Sequence, residues 1–166
     1  MVLKQIFDTD SSTYSYILAS NEGNAIIIDP VTKDLEKYKN IFQELDVTLI
    51  YSAETHTHAD HISGSGALNE IYGSKILSSL DKMDSRAHRI QDGEMIELDE
   101  IQIKCLHTPG HTDDSYCFIL ESENPNILFS GDTLLIGGTG RSDFQNGCSS
   151  SLYESITKKL FTLDDK

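Results

Sequence analysis

No run of apolar residues in this 166-residue chain approaches the roughly 18 needed for a membrane-crossing helix, so no membrane partner is expected. Positive charge is also scarce. Thirteen Lys plus Arg stand against 27 Asp plus Glu, a formal charge of −14, which argues against nucleic acid as a partner because that requires a basic footprint. The acidity does not name a cationic substrate; a solvated surface accounts for it, and a few local basic residues can still hold an anion. Cysteine is sparse and lacks close metal-ligand spacing. Cys105, Cys117 and Cys148 read as buried free thiols, with Cys148 kept as a weak reactive candidate because it follows a glycine. The opening "MVLKQIFDTD" has neither the positive-then-apolar order of a signal peptide nor the acid-poor character of a transit peptide, so cytoplasmic residence is the expectation.

What is present suits one globular domain over residues 1–166, with 38% hydrophobic residues spread along the chain. "YSYILAS" and "NAIIIDP" read as strands joined around Asn21–Gly23, and Pro30 ends the second. From Lys33 to Leu45, the residues Leu35, Tyr38, Ile41, Phe42 and Leu45 form one helical stripe. "VTLIYSA" is a strand, and "HISGSGALNEIYG" a loop entering a short helix that stops near Gly73. "SKILSS", "MIELD", "IQIKCLHT", "SYCFILES" and "NILFSG" are further strands. "SSLYESITKKLF" is helical, with Leu152, Ile156, Lys159 and Leu160 at helical spacing and Ser149 or Ser150 as a cap. Strands interspersed with helices point to a mixed α/β layer structure.

The chemistry is concentrated in "ETHTHADHISGSG". His56, His58, Asp60 and His61 have offsets of two, two and one, which suit a tight loop with converging side chains rather than a helix face. Imidazoles and carboxylates are ligands for zinc and iron alike. His111, in "HTPGHT", and Asp132, in "LFSGDT", likewise follow apolar runs, where a sheet can aim loops at one point. His107 suits a structural role or one orienting the neighbouring loop, and His88 a structural one.

"HTHADH", "TPGHT" and "SGDTL" resemble successive motifs of the metallo-β-lactamase superfamily, and "FSGDTLLIGGTGRSDFQNG" resembles its persulfide dioxygenases. The likeness runs from Ile6 to Leu163 and implies an α+β fold, a four-layer αββα sandwich. It implies one Fe(II) per chain held by His56, His111 and Asp132, with Zn(II) as the alternative ion. His58, Asp60 and His61 would then serve catalysis by orienting ligands or water through hydrogen bonds. Arg141 in "GTGRSDF" matches an arginine associated with glutathione, so glutathione persulfide and dioxygen are the implied partners and sulfite and glutathione the products. Thr139 stands where some members have cysteine, which weakens any inference of thiol modulation, while Gly137 and Gly138 suit loop shape and not a phosphate cradle.

The alternative is a glyoxalase II-like thioester hydrolase with two metals, but that site needs a later histidine, and none follows His111. Family members continue for several tens of residues, so a C-terminally incomplete chain is expected, and a non-catalytic metal-binding protein is a third reading. The same resemblance makes a homodimer an expected assembly.

Overall fold

The computed structural model describes residues 1–79, 87–122 and 125–163. Their contacts divide into two compact units, one made of Met1–Glu54, His58–Arg89 and Glu97–Ile101, the other of Thr55–Thr57, Ile90–Ile96 and Gln102–Lys166.

The first unit is built on a six-stranded sheet in the order β1 (Val2–Asp8), β2 (Thr13–Ala19), β3 (Asn24–Ile28), β4 (Thr48–Ala53), β5 (Lys75–Ser78) and β6 (Ala87–Arg89). The first three strands pair antiparallel and the rest parallel. Ala25, Ile26, Ile27 and Ile28 are all buried, which explains why β3 reads as a continuous apolar run and not an alternation. α1 (Leu35–Glu44) carries the crossover from β3 to β4 and presents Tyr38 and Phe42 to a core of Ile17, Ala25, Ile27, Leu49 and Leu68. Each Ile, Leu or Phe side chain of this core, once fully buried, contributes roughly 1.5–3 kcal/mol. Tyr38 keeps its polar tip satisfied: its hydroxyl accepts from the Val31 amide at 2.9 Å and lies 2.8 Å from Ser15 Oγ. α2 (Ser65–Tyr72) ends at Gly73, whose left-handed backbone lets its amide bond back to Asn69.

A second sheet runs β10 (Ile127–Phe129), β9 (Tyr116–Glu121), β8 (Ile101–His107) and β7 (Met95–Leu98). β8 and β9 pair antiparallel from Gln102 opposite Glu121 to His107 opposite Tyr116. α3 (Ser149–Glu154) lays Leu152, with Ile156 and Leu160 beyond it, onto Cys117, Leu106, Leu128 and Leu134.

Strands β2–β5, β7–β10 and all three helices fall where the sequence puts them, and the α+β class is as expected. Three local expectations are corrected. The first helix begins as a tight 3-10 turn at Thr32–Asp34, and its α-helical part starts at Leu35, not Lys33. The third helix is capped neither by Ser149 nor by Ser150. Cys148 holds the cap position, its Sγ 3.1 Å from Ser150 Oγ, and Ser149 Oγ instead lies 2.8 Å from Ser142 Oγ. That helix also widens into a π-type turn over Ser155–Lys159, which lets Lys159 reach Asp92 at 2.9 Å and the His107 carbonyl at 2.7 Å instead of packing in the apolar stripe. Strands β1 and β6 were not legible in the sequence. β1 is an edge strand with mostly exposed side chains, and β6 is three residues long.

Candidate metal centre

Three strand ends in the chain lead to the donors. His56 lies three residues after the end of β4 and is buried; Thr55 Oγ1 lies 2.9 Å from its Nδ1, and the Tyr116 amide of β9 fixes the Thr55 carbonyl at 2.7 Å. His111 follows β8 through the Pro109–Gly110 turn. Asp132 follows β10 through Ser130 and Gly131. One donor atom from each of His56, His111 and Asp132 lies within 4.8 Å of the others. His111 Nε2 is 3.5 Å from Asp132 Oδ2, and the two imidazoles meet edge to face with centroids 4.9 Å apart. Asp132 keeps 47% of its side chain exposed against 11% for His111, so the cluster opens to solvent on the carboxylate side.

Hydrogen bonds set the imidazole tautomers. His111 Nδ1 donates to the Arg141 carbonyl at 2.7 Å; because a carbonyl only accepts, Nε2 carries the lone pair and points at Asp132. The Thr55 hydroxyl on Nδ1 of His56 assigns the ligand role there to Nε2 as well. This donor set fits a divalent ion of borderline softness: two imidazole nitrogens, one carboxylate oxygen and one open side.

Two glycines make the convergence sterically feasible. A Cβ on Gly140 would sit 2.4 Å from the Asp132 carbonyl oxygen and 2.8 Å from His111 Nδ1. Only a residue without a side chain lets the Gly140 amide bond to that carbonyl at 2.8 Å and bring Arg141 O to the imidazole. Gly131, with φ +48°, lies so close to Thr55 that a Cβ would meet its Oγ1 at 2.6 Å.

His58, Asp60 and His61 form a second convergent group in the other unit. His58 Nε2 lies 3.2 Å from Asp29 Oδ1 and 3.6 Å from Glu54 Oε2. Burial disfavours its charged form, but the Asp29 hydrogen bond and the charges of Asp29, Glu54 and Asp60 outweigh that and raise its pKa to about 9. Glu54 is raised in turn, by burial first and by the Asp29 charge second, while the Ser63 and Ser65 hydroxyls donate to its Oε1. His61 is shifted down by burial and by the charge of His58. Its Nδ1 meets Asp60 Oδ1 and Thr13 Oγ1, both at 3.2 Å, and its Nε2 is buried with no hydrogen-bond partner among the described residues. The group therefore pairs a charged imidazole with a neutral one, their rings 4.3 Å apart.

Arg141 is exposed. Its Nε and Nη2 clamp Asp143 at 2.8 and 3.1 Å, and its guanidinium lies 5.5 Å from the Phe144 ring centroid. His107 donates from Nε2 to the Asp113 carbonyl at 3.1 Å and packs on Tyr116, a structural role that steadies the His111 loop. His88 lies in β6 and joins none of the donor clusters among the described residues. Cys105 and Cys117 are buried and outside any disulfide as expected, whereas Cys148, expected to be buried, is exposed because it sits at the surface start of α3. Sequence reasoning missed Thr55, Gly140, Asp29 and Glu54. Of these only Asp29, a carboxylate closing an apolar run before proline, carries a signal in residue type.

A family model described as the metallo-beta-lactamase superfamily matches residues 8–166. The mitochondrial persulfide dioxygenase ETHE1 of Bos taurus is 38% identical over 166 residues, covering 98% of this chain and 64% of that protein. The chain thus spans about two thirds of the length of the curated persulfide dioxygenases it matches, or 64%. Hydroxyacylglutathione hydrolase GloC of Haemophilus influenzae is 32% identical over 171 residues, covering 90% of this chain and 79% of that one. The crystal structure of ETHE1 from Myxococcus xanthus superposes with a TM-score of 0.93 at 40% identity, covering 99% of this chain and 72% of that one. No helix among the described residues is long and apolar enough to cross a membrane. The chain belongs to the metallo-beta-lactamase superfamily, within which it is similar to ETHE1 persulfide dioxygenases and, at lower identity, to hydroxyacylglutathione hydrolases.

Proposed function

We propose that this chain carries the metal centre of a glutathione persulfide dioxygenase, with one ferrous ion held by His56, His111 and Asp132. The observation that carries the reading is the donor set itself, two imidazoles and one partly open carboxylate within 4.8 Å. The similarity to ETHE1 proteins at 38–40% identity supports the same choice. One persulfide, one dioxygen and one water give one glutathione, one sulfite and two protons. Ferrous iron, when held by these residues, would supply the dioxygen chemistry.

The chain's own residues supply the rest. The Arg141 carbonyl holds a proton on His111 Nδ1 and so keeps Nε2 a donor. The Arg141 guanidinium exchanges Asp143 for a glutathione carboxylate, a swap of one two-pronged partner for another. His58, Asp60 and His61 take the catalytic hydrogen-bonding roles, with His58 holding a proton between Asp29 and Glu54.

A second reading, a thioester hydrolase with two metals, has two observations in its favour: His58, Asp60 and His61 form a second cluster of metal-ligating atoms, and His61 Nε2 is buried without a hydrogen-bond partner among the described residues. Anaerobic reconstitution with ferrous iron, followed by oxygen uptake with glutathione persulfide, separates the two. The proposal expects about one iron per chain and persulfide-dependent oxygen consumption. Two metals with hydrolysis of S-lactoylglutathione and no oxygen uptake would overturn it.

A further inference from the structure

Thr57, directly after His56, is gripped by side chains on both of its peptide planes. Its amide and hydroxyl donate to Asp114 Oδ2 at 3.1 and 2.6 Å, while its carbonyl accepts from Gln145 Nε2 at 3.1 Å. Thr57 itself is exposed, so burial does little to fix it and these three bonds do more. Its amide shares a rigid plane with the His56 carbonyl and the His56 Cα, so fixing that amide fixes the point from which the imidazole departs.

The two gripping side chains come from the segments of the other donors. Asp114 lies three residues after His111, and Gln145 lies four after Arg141, whose carbonyl orients His111. The Gln145 loop is held in a costly shape. Gln145 and Asn146 are consecutive non-glycine residues in the left-handed region, with φ of +47° and +58°. Asn146 Nδ2 bonds to Asp113 Oδ2 at 3.3 Å, and Gly147 comes so near the His111 carbonyl that a Cβ would sit 2.8 Å from it. Such a conformation persists only when its surroundings over-determine it. One loop thus bears on both histidine segments, which accounts for Gln145 in "SDFQNG", a residue to which the proposed reaction gives no part.

We infer that Asp114 and Gln145 are positioning residues that clamp Thr57 and thereby set the position of His56 as a metal ligand. The inference rests on the assignment of His56 to the metal. Bonds that orient ligands from outside the coordination sphere change metal affinity by about 10–100-fold.

The test uses Co(II) as a spectroscopic probe in the full chain, titrating its visible ligand-field bands, with thermal unfolding of each apo variant as the folding control. Thr57→Val, which loses the hydroxyl bond, and Gln145→Ala, which loses the carbonyl bond, should each weaken Co(II) about tenfold and shift the bands, at unchanged apo melting temperature. Thr57→Ser should restore both readouts. His56→Ala should abolish binding. Wild-type affinity and spectra in T57V and Q145A, with binding lost in H56A, would overturn the clamp and leave the metal site standing. Unaltered binding in H56A would overturn both.

Discussion

The Nδ1–H of His111 donates to the main-chain carbonyl of Arg141 at 2.7 Å, so one residue faces a ligand with its backbone and solvent with its side chain. The two roles proposed for Arg141 separate experimentally. Arg141→Ala keeps the carbonyl, so it should hold ferrous iron with affinity unchanged within about threefold while raising KM for glutathione persulfide about tenfold or more. Iron titration and steady-state oxygen uptake on the same preparation check it. A loss of iron affinity equal in fold to the rise in KM would show that the side chain cannot be removed without moving the carbonyl.

Gly140→Ala should be far more damaging than its size suggests. The added methyl meets Asp132 O and His111 Nδ1 inside contact distance, and both neighbours are part of the donor cluster. Overpacking of this kind costs about 1–3 kcal/mol in stability, and here the loop must also withdraw the carbonyl that orients His111. Denaturant melts and metal titration should both report the change, the titration by about tenfold or more.

Cys148 should be the one thiol that labels rapidly in the folded chain. It is exposed, and the hydroxyls of Ser150 and Ser151 bring its pKa down to about 7. Cys105, by contrast, is buried and pushed up to about 12 by burial and the nearby Glu94 charge. The thiolate is the reactive form, so iodoacetamide alkylation at Cys148 should rise with pH through about 7 and then level off. Ser150→Ala removes a bond that favours the thiolate and should move that midpoint upward. Peptide mapping of the alkylated protein across a pH series reads both.

Phe42→Ala probes the core that carries α1. Phe42 is 2% exposed and packs edge to face on Tyr72 at 5.5 Å. The truncation should destabilise the protein by about 3–5 kcal/mol, read from the shift in urea midpoint.

Legibility in the sequence followed how the information is written. "NAIIIDP" and "VTLIYSA" declare themselves because buried parallel strands need unbroken apolar runs, and the stripe of Tyr38 and Phe42 because a helix repeats every 3.6 residues. β1 hid because an edge strand alternates weakly and leaves Phe7 and Tyr14 to cover each other in solvent, their rings 4.7 Å apart. His56, His111 and Asp132 were legible as residue types with few other reasons to sit after strands. Gly140, Thr55, Asp114 and Gln145 were not. Their contributions are a missing methyl, single hydrogen bonds and a left-handed loop, which depend on where distant backbone passes and leave no periodic trace.

Asp132 follows β10, so the last of the three donors belongs to the strand that appears latest in chain order. During synthesis His56 leaves the ribosome well before the carboxylate that completes its set exists. Capture of an ion by all three donors therefore has to wait for the segment after β10, whereas the residues of β8 and β9 are already made by then. On the proposed ligand set, metal content after reconstitution then counts the chains in which all three segments have come together.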